Sequence, residues 1–306
     1  MNRHLALFLL TVLTCTAAGG LNYFSFALGF SQAELIVGWH GLAANGLRMS
    51  WLELARHGLW FSVPFLSFLT AHEFGHYFAA RWHGLRPSLP YYLPAPLPMT
   101  GSLGAVIVFR GQFPNRRVLF DFAAGGPLAG FVVAVIALAS GLAWSPAEKL
   151  PEKFVGDWLG EPLLFQWLMH AIVGPVRDGW SVNLHPTAFA GWLGLLFTMM
   201  NLVPISQLDG GHIAYATIRR RSRWLTVAGL AMLAFFIVWL HAYSWSLWVV
   251  LLLVIIRLVG WEHPASVDDE LPLDPIRIAL AIVLVAIFVV CFMPVPLSPI
   301  ELIGGH

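Results

Sequence analysis

Three residues at fixed spacing carry the most chemistry in this 306-residue chain: His72, Glu73 and His76, in AHEFGHYF. Residues four apart lie on one face of an α-helix, about 40° apart around its axis, so both imidazoles reach a single ion. Glu73, offset by one residue, stands beside that ion, where it takes a proton from water instead of ligating. With 12 histidines and 9 glutamates in the chain, the HExxH pattern is expected by chance only about 0.01 times. The plain alternative is a histidine pair hydrogen-bonded inside a helix bundle, with Glu73 neutralising one ring. A membrane di-iron enzyme is a second one. It needs about eight histidines in several boxes, which His83, His170, His185 and His212 do not form.

A catalytic zinc takes three protein ligands and keeps a fourth position for water, so another helix must offer a donor. Cys15 and Cys291 lie in apolar stretches far apart in sequence, which leaves His, Asp and Glu as donors. NLVPISQLDGGH supplies Asp209, with Pro204 expected to end the preceding helix. Gly210 and Gly211 are expected to permit sharp turns and close backbone approach. Taken alone, the same segment is equally compatible with a polar turn in which Asp209 caps the next helix. Charge favours the joint reading. Zn²⁺, two neutral imidazoles and the carboxylates of Asp209 and Glu73 sum to zero, the balance a buried site needs.

The elements that must hold these residues are membrane helices. Hydrophobic residues make up 58% of the chain and charged residues 11%, against about 25% charged in soluble domains. Windows long enough to cross a bilayer run roughly Leu5 to Phe30, His57 to Trp82, Val118 to Ala143 and Thr187 to Ile205. Shorter ones follow at Trp224 to Leu240, Ser244 to Val259 and Ile276 to Met293. The sequence therefore predicts an all-α polytopic membrane protein of six or seven spans. The first window continues past a signal-peptide length and is expected to stay as an uncleaved helix. Alternating spans place twelve of the 17 basic residues on the N-terminal side, leaving Arg48, Arg56, Lys149, Lys153 and Arg177 on the other, so the N-terminus is expected to be cytoplasmic. The net charge of +1 leaves no basic face for nucleic acid. Between the second and third windows, PSLPYYLPAPLPM is too proline-rich for helix and predicts a loop, while SLGAVIVFR predicts a small membrane-associated strand or hairpin.

HEFGH on one span, FAAGGPLAGF opening the next and NLVPISQLDGGH at the end of a later one resemble, over about His57 to His212, the site-2 protease family of intramembrane metalloproteases. The resemblance implies one zinc per chain held by His72, His76 and Asp209, with Glu73 as the base that activates water. It also implies that Asn201 donates a hydrogen bond to the scissile carbonyl or its oxyanion. An ordinary helix-to-helix hydrogen bond is an equal alternative for Asn201. Substrates would be single-span membrane proteins cut within or near the span, in regulated intramembrane proteolysis, and the short strand region would pair with an extended substrate segment. The chain departs from many members in having Gly130, not Asn, after Gly126 and Pro127, and in leaving space for neither a PDZ domain nor a paired CBS module. Three segments are expected: a first helix and outer loop (1–56), a metalloprotease core (57–222) and C-terminal helices (223–306). Charge bias and the missing transit peptide suggest a bacterial inner membrane. The rival enzyme class is a membrane metal enzyme acting on a lipid or other small apolar substrate.

Overall fold

A computed structural model describes residues 3–31, 35–205, 207–260 and 266–302. Nine α-helices are present among them. They are α1 (Arg3–Leu28), α2 (Trp51–Trp82), α3 (Arg116–Leu142), α4 (Leu163–Ile172), α5 (Pro186–Leu202), α6 (Asp209–Ile218), α7 (Ser222–Trp239), α8 (Ser246–Val259) and α9 (Pro275–Cys291). The four longest predicted windows coincide with α1, α2, α3 and α5 to within a few residues at most ends, α2 starting six residues early. By length and composition, three runs among the described residues are suited to crossing a membrane: Arg3–Leu28, Arg116–Leu142 and Asp209–Trp239. The last of these is interrupted at Arg219, a non-glycine residue at φ 58°, so α6 and α7 are separate helices. The motif residues lower the apolarity of α2, although at 32 residues it is about 48 Å long, more than the bilayer core requires. Large apolar side chains such as Leu13 on α1, Ile136 on α3 and Val285 on α9 point outward and are more than 60% exposed, as expected where the solvent is lipid.

α2 begins in a capping box: the Ser50 hydroxyl accepts from Glu53 N–H while Glu53 accepts from Ser50 N–H at 2.7 Å. Pro64 inside α2 cannot donate to the Trp60 carbonyl. The Thr187 hydroxyl of α5 donates to that oxygen instead, at 2.7 Å, tying α5 to the point where α2 loses its own bond. Thr187 is itself set by the α5 cap, where its N–H donates to the His185 ring. Burial pushes His185 down to about 4, so the ring is neutral and keeps a lone pair to accept with. α3 packs against α2, α5, α6 and α9 around a core of Phe61, Phe65, Phe68, Phe120, Leu138 and Trp192.

The strands are short. β1 (Ile36–Gly38), β2 (Gly41–Ala44) and β3 (Leu47–Ser50) form an antiparallel meander before α2. β4 (Tyr91–Pro94) pairs antiparallel with β5 (Ser102–Val106), Tyr91 opposite Val106 and Tyr92 opposite Ala105. Part of the proline-rich segment expected to be loop is therefore a strand, because Tyr91 and Tyr92 fall between its prolines and pair there. The Tyr92 hydroxyl meets that of Thr70 on α2 at 2.7 Å and fastens the hairpin beside the HExxH turn. β6 (Ala147–Lys149) pairs with β8 (Trp180–Val182), and β7 (Phe154–Leu159) with β9 (Leu297–Leu302).

Candidate metal centre

α2 presents His72 and His76 on its α3-facing side, and the start of α6 brings Asp209 to them. The Asp209 Oδ2 atom lies 3.3 Å from His72 Nε2 and 3.4 Å from His76 Nε2, and the two imidazole nitrogens are 3.1 Å apart. Metal bonds of 2.0–2.1 Å in tetrahedral geometry place ligand atoms about 3.3–3.4 Å from one another. The three donors thus stand close to the edge lengths of one face of a zinc-sized tetrahedron. Among the described residues they are the group of three His, Cys, Asp or Glu side chains whose donor atoms lie close enough together to hold one ion. Both histidines and Glu73 are buried, each at most 6% exposed.

Supporting contacts fix the donors. His76 Nδ1–H donates to the Phe122 carbonyl of α3 at 2.7 Å, which turns its Nε2 lone pair toward the centre. Phe122 is held in turn by its neighbour. Asp121 accepts from Arg277 of α9 at 2.8 Å and meets His83 at 2.7 Å, so α9 braces the turn whose carbonyl orients His76. Sequence reasoning missed this network, because nothing local marks Asp121 as the partner of a residue 156 positions away.

Glycines set how near the helices come. A Cβ on Gly75 would lie 2.2 Å from the Gly125 carbonyl oxygen, so α2 and α3 touch backbone to backbone. One on Gly126 would lie 2.1 Å from His76 Nε2, and one on Gly130 3.2 Å from His72 Cβ. The glycine-rich stretch lies inside α3, which begins at Arg116, and does not open the helix as the sequence suggested; it is the floor under the histidine pair. Gly210 and Gly211 lie within the first turn of α6, not in the sharp turn expected of them. The close approach holds: a Cβ on Gly210 would meet the Leu202 carbonyl oxygen at 2.1 Å. α5 stops at Leu202, two residues before Pro204, and Asn201 in its last turn brings Nδ2 to 3.4 Å from His72 Nε2. Glu73 has no hydrogen-bond or ion-pair partner among the described residues. The arrangement offers two nitrogens and one oxygen to a cation, an amide donor on one side and a carboxylate at the next position along α2.

Residues 60–241 match the family model of Peptidase family M50. The chain belongs to that family, the site-2 proteases. Its relatives include "Probable zinc metalloprotease EGY2, chloroplastic" of Oryza sativa subsp. indica, 30% identical over 257 residues that cover 82% of this chain and 46% of that protein. The Arabidopsis thaliana protein of the same name is 28% identical over 249 residues, 81% of this chain and 44% of the relative. "Probable zinc metalloprotease EGY1, chloroplastic" of Arabidopsis thaliana is 33% identical over 155 residues, 48% of this chain and 27% of the relative. The chain thus spans less than half the length of the curated relatives it matches. The M50 chain shares its family with proteins named as chloroplastic, which lend no support to the expectation of a bacterial inner membrane.

Proposed function

We propose that this chain is an intramembrane zinc endopeptidase that hydrolyses a peptide bond in or near the transmembrane segment of single-span membrane proteins. The observation that carries the reading is the triangle of His72, His76 and Asp209 donors with sides of 3.1, 3.3 and 3.4 Å. These residues would hold one zinc. Zinc in such a site supplies a Lewis acid that polarises a carbonyl and acidifies water. Glu73 takes the proton from the attacking water and returns it to the leaving amine. Asn201 donates its amide N–H to the scissile carbonyl oxygen as negative charge develops there. Proton transfer to Glu73 leaves the net charge of the centre unchanged, which suits a place poor in solvent.

The catalytic core is the segment 57–222, within a chain of six or seven spans whose arginine-rich side faces the same compartment as the N-terminus. His72 and His76 lie about two turns from the inner end of α2 at Trp82, so water reaches them by the shorter path from that side. An intact helix hides its carbonyls in hydrogen bonds, so the preferred substrates carry weak helix formers such as Gly, Pro or Asn near the cut. The β4–β5 hairpin, two strands wide and fastened to Thr70, offers a free edge to the unwound stretch.

Metal removal tests this reading. The purified full chain in detergent should cut a single-span reporter, lose that activity on dialysis against a zinc chelator and regain it with stoichiometric Zn²⁺. Cleavage that persists in chain shown to be metal-free would contradict it.

A further inference from the structure

The outer halves of α2 and α3 leave between them a groove of about 680 Å³. Its walls are apolar and open, with Val63 57% and Ile136 63% exposed, so in a chain whose α2 and α3 cross a bilayer the opening faces acyl chains. The upper end has a different chemistry. Trp60 and Trp144 meet edge to face there, ring centroids 5.4 Å apart, just where α3 ends. That is the level of an interfacial aromatic belt.

Arg56 stands about one turn above Trp60, lines the same groove and is exposed, with no ion pair or hydrogen bond among the described residues. The acidic residue on this turn, Glu53, is already engaged by the N–H and hydroxyl of Ser50 at 2.7 and 2.8 Å. His57, also in the wall, donates Nδ1–H to the Glu53 carbonyl at 2.8 Å and stacks on Tyr23 with centroids 4.1 Å apart. From Arg56 to Ser67, the lowest α2 residue of the groove, is about 16 Å along the helix, close to the depth of one leaflet of a core about 30 Å thick.

We propose that this groove binds one anionic phospholipid of the outer leaflet, its phosphate on Arg56 and an acyl chain lying along Val63 and Ile136 toward Ser67. A guanidinium matches a phosphate in two parallel hydrogen bonds. None of the described residues that line the groove is acidic, which favours a headgroup with net negative charge over a zwitterionic one. A substrate helix is the rival occupant. Its apolar side chains bring no anion to Arg56 at the upper end of the groove. The bound lipid packs on the two helices that carry His72 and His76 and the Gly126 floor, and its binding does not require the proteolytic reading.

Native mass spectrometry of the full chain, released from nanodiscs of equal phosphatidylglycerol and phosphatidylcholine, tests the proposal without a cleavage assay. Wild type should retain one phosphatidylglycerol in preference to phosphatidylcholine. Arg56→Gln, at an exposed position, should lower that retention about tenfold, the loss of one strong charge-assisted contact. Ile136→Trp, which fills the lower groove and leaves Arg56 in place, should remove lipid of both classes. Equal retention of the two lipids by wild type, unchanged retention in Arg56→Gln, or an unchanged lipid count in Ile136→Trp would each overturn it.

Discussion

Glu73→Gln is expected to leave the zinc content of the chain unchanged while slowing cleavage of a single-span substrate by about 10²–10⁴-fold, the range a positioned general base contributes. The amide has nearly the shape of the carboxylate but accepts no proton at neutral pH. Glu73 is 6% exposed and makes no hydrogen bond among the described residues, so the exchange breaks none there and the fold should survive it. Metal analysis and cleavage rates on the same preparation separate the two effects. Retained zinc with lost cleavage assigns Glu73 to proton transfer, whereas full activity in the variant removes it from the chemistry.

Gly126→Ala is expected to have a comparable effect by a different route, through the metal. The added methyl would sit 2.1 Å from His76 Nε2, inside any van der Waals contact, and the histidine is held from behind by the Phe122 carbonyl at 2.7 Å. Either the ring leaves the position it holds or α3 moves away from α2, giving up the close Gly75 to Gly125 backbone packing. A displacement of about 1 Å at a site of this kind costs on the order of 10²-fold in rate. Gly130→Ala supplies the graded comparison, because its methyl would stand 3.0 Å from Phe68 and 3.2 Å from His72 Cβ, a crowding that small shifts relieve. Zinc content and cleavage should fall steeply in Gly126→Ala and mildly in Gly130→Ala. Equal, small losses in both would mean that the glycine floor does not set the histidine geometry.

Much of the centre was legible because its chemistry is local. The four-residue spacing of His72 and His76 faces both rings the same way on any helix, and the apolar windows around them mark the helices that carry them. Asp209 was legible only through its setting after Pro204, and the sequence alone could not tell a turn from the first turn of α6. Long-range contacts were not legible. The brace from Arg277 to Asp121 and the pairing of β7 with β9 join residues far apart in the chain, and no periodic pattern announces them. The β2–β3 hairpin is a different case, since its signal was present. Asn45 and Gly46, both with positive φ, form the two-residue connection between Ala44 and Leu47, the residue pair that a hairpin turn matching strand twist favours. The glycines of α3 are plain in the sequence, but their contact with the His76 ring emerges only when α2 and α3 are placed together.

The proposed metal centre depends most on the carboxylate that α6 brings to the two imidazoles of α2. Its most direct test is the zinc stoichiometry of purified wild-type chain and of Asp209→Ala, measured by elemental analysis after equilibration against the same low free-zinc buffer. Wild type should hold one zinc per chain and the variant close to none, because two histidines alone leave the tetrahedron with half its corners to water. A full equivalent of zinc retained by Asp209→Ala would show that the third ligand lies elsewhere.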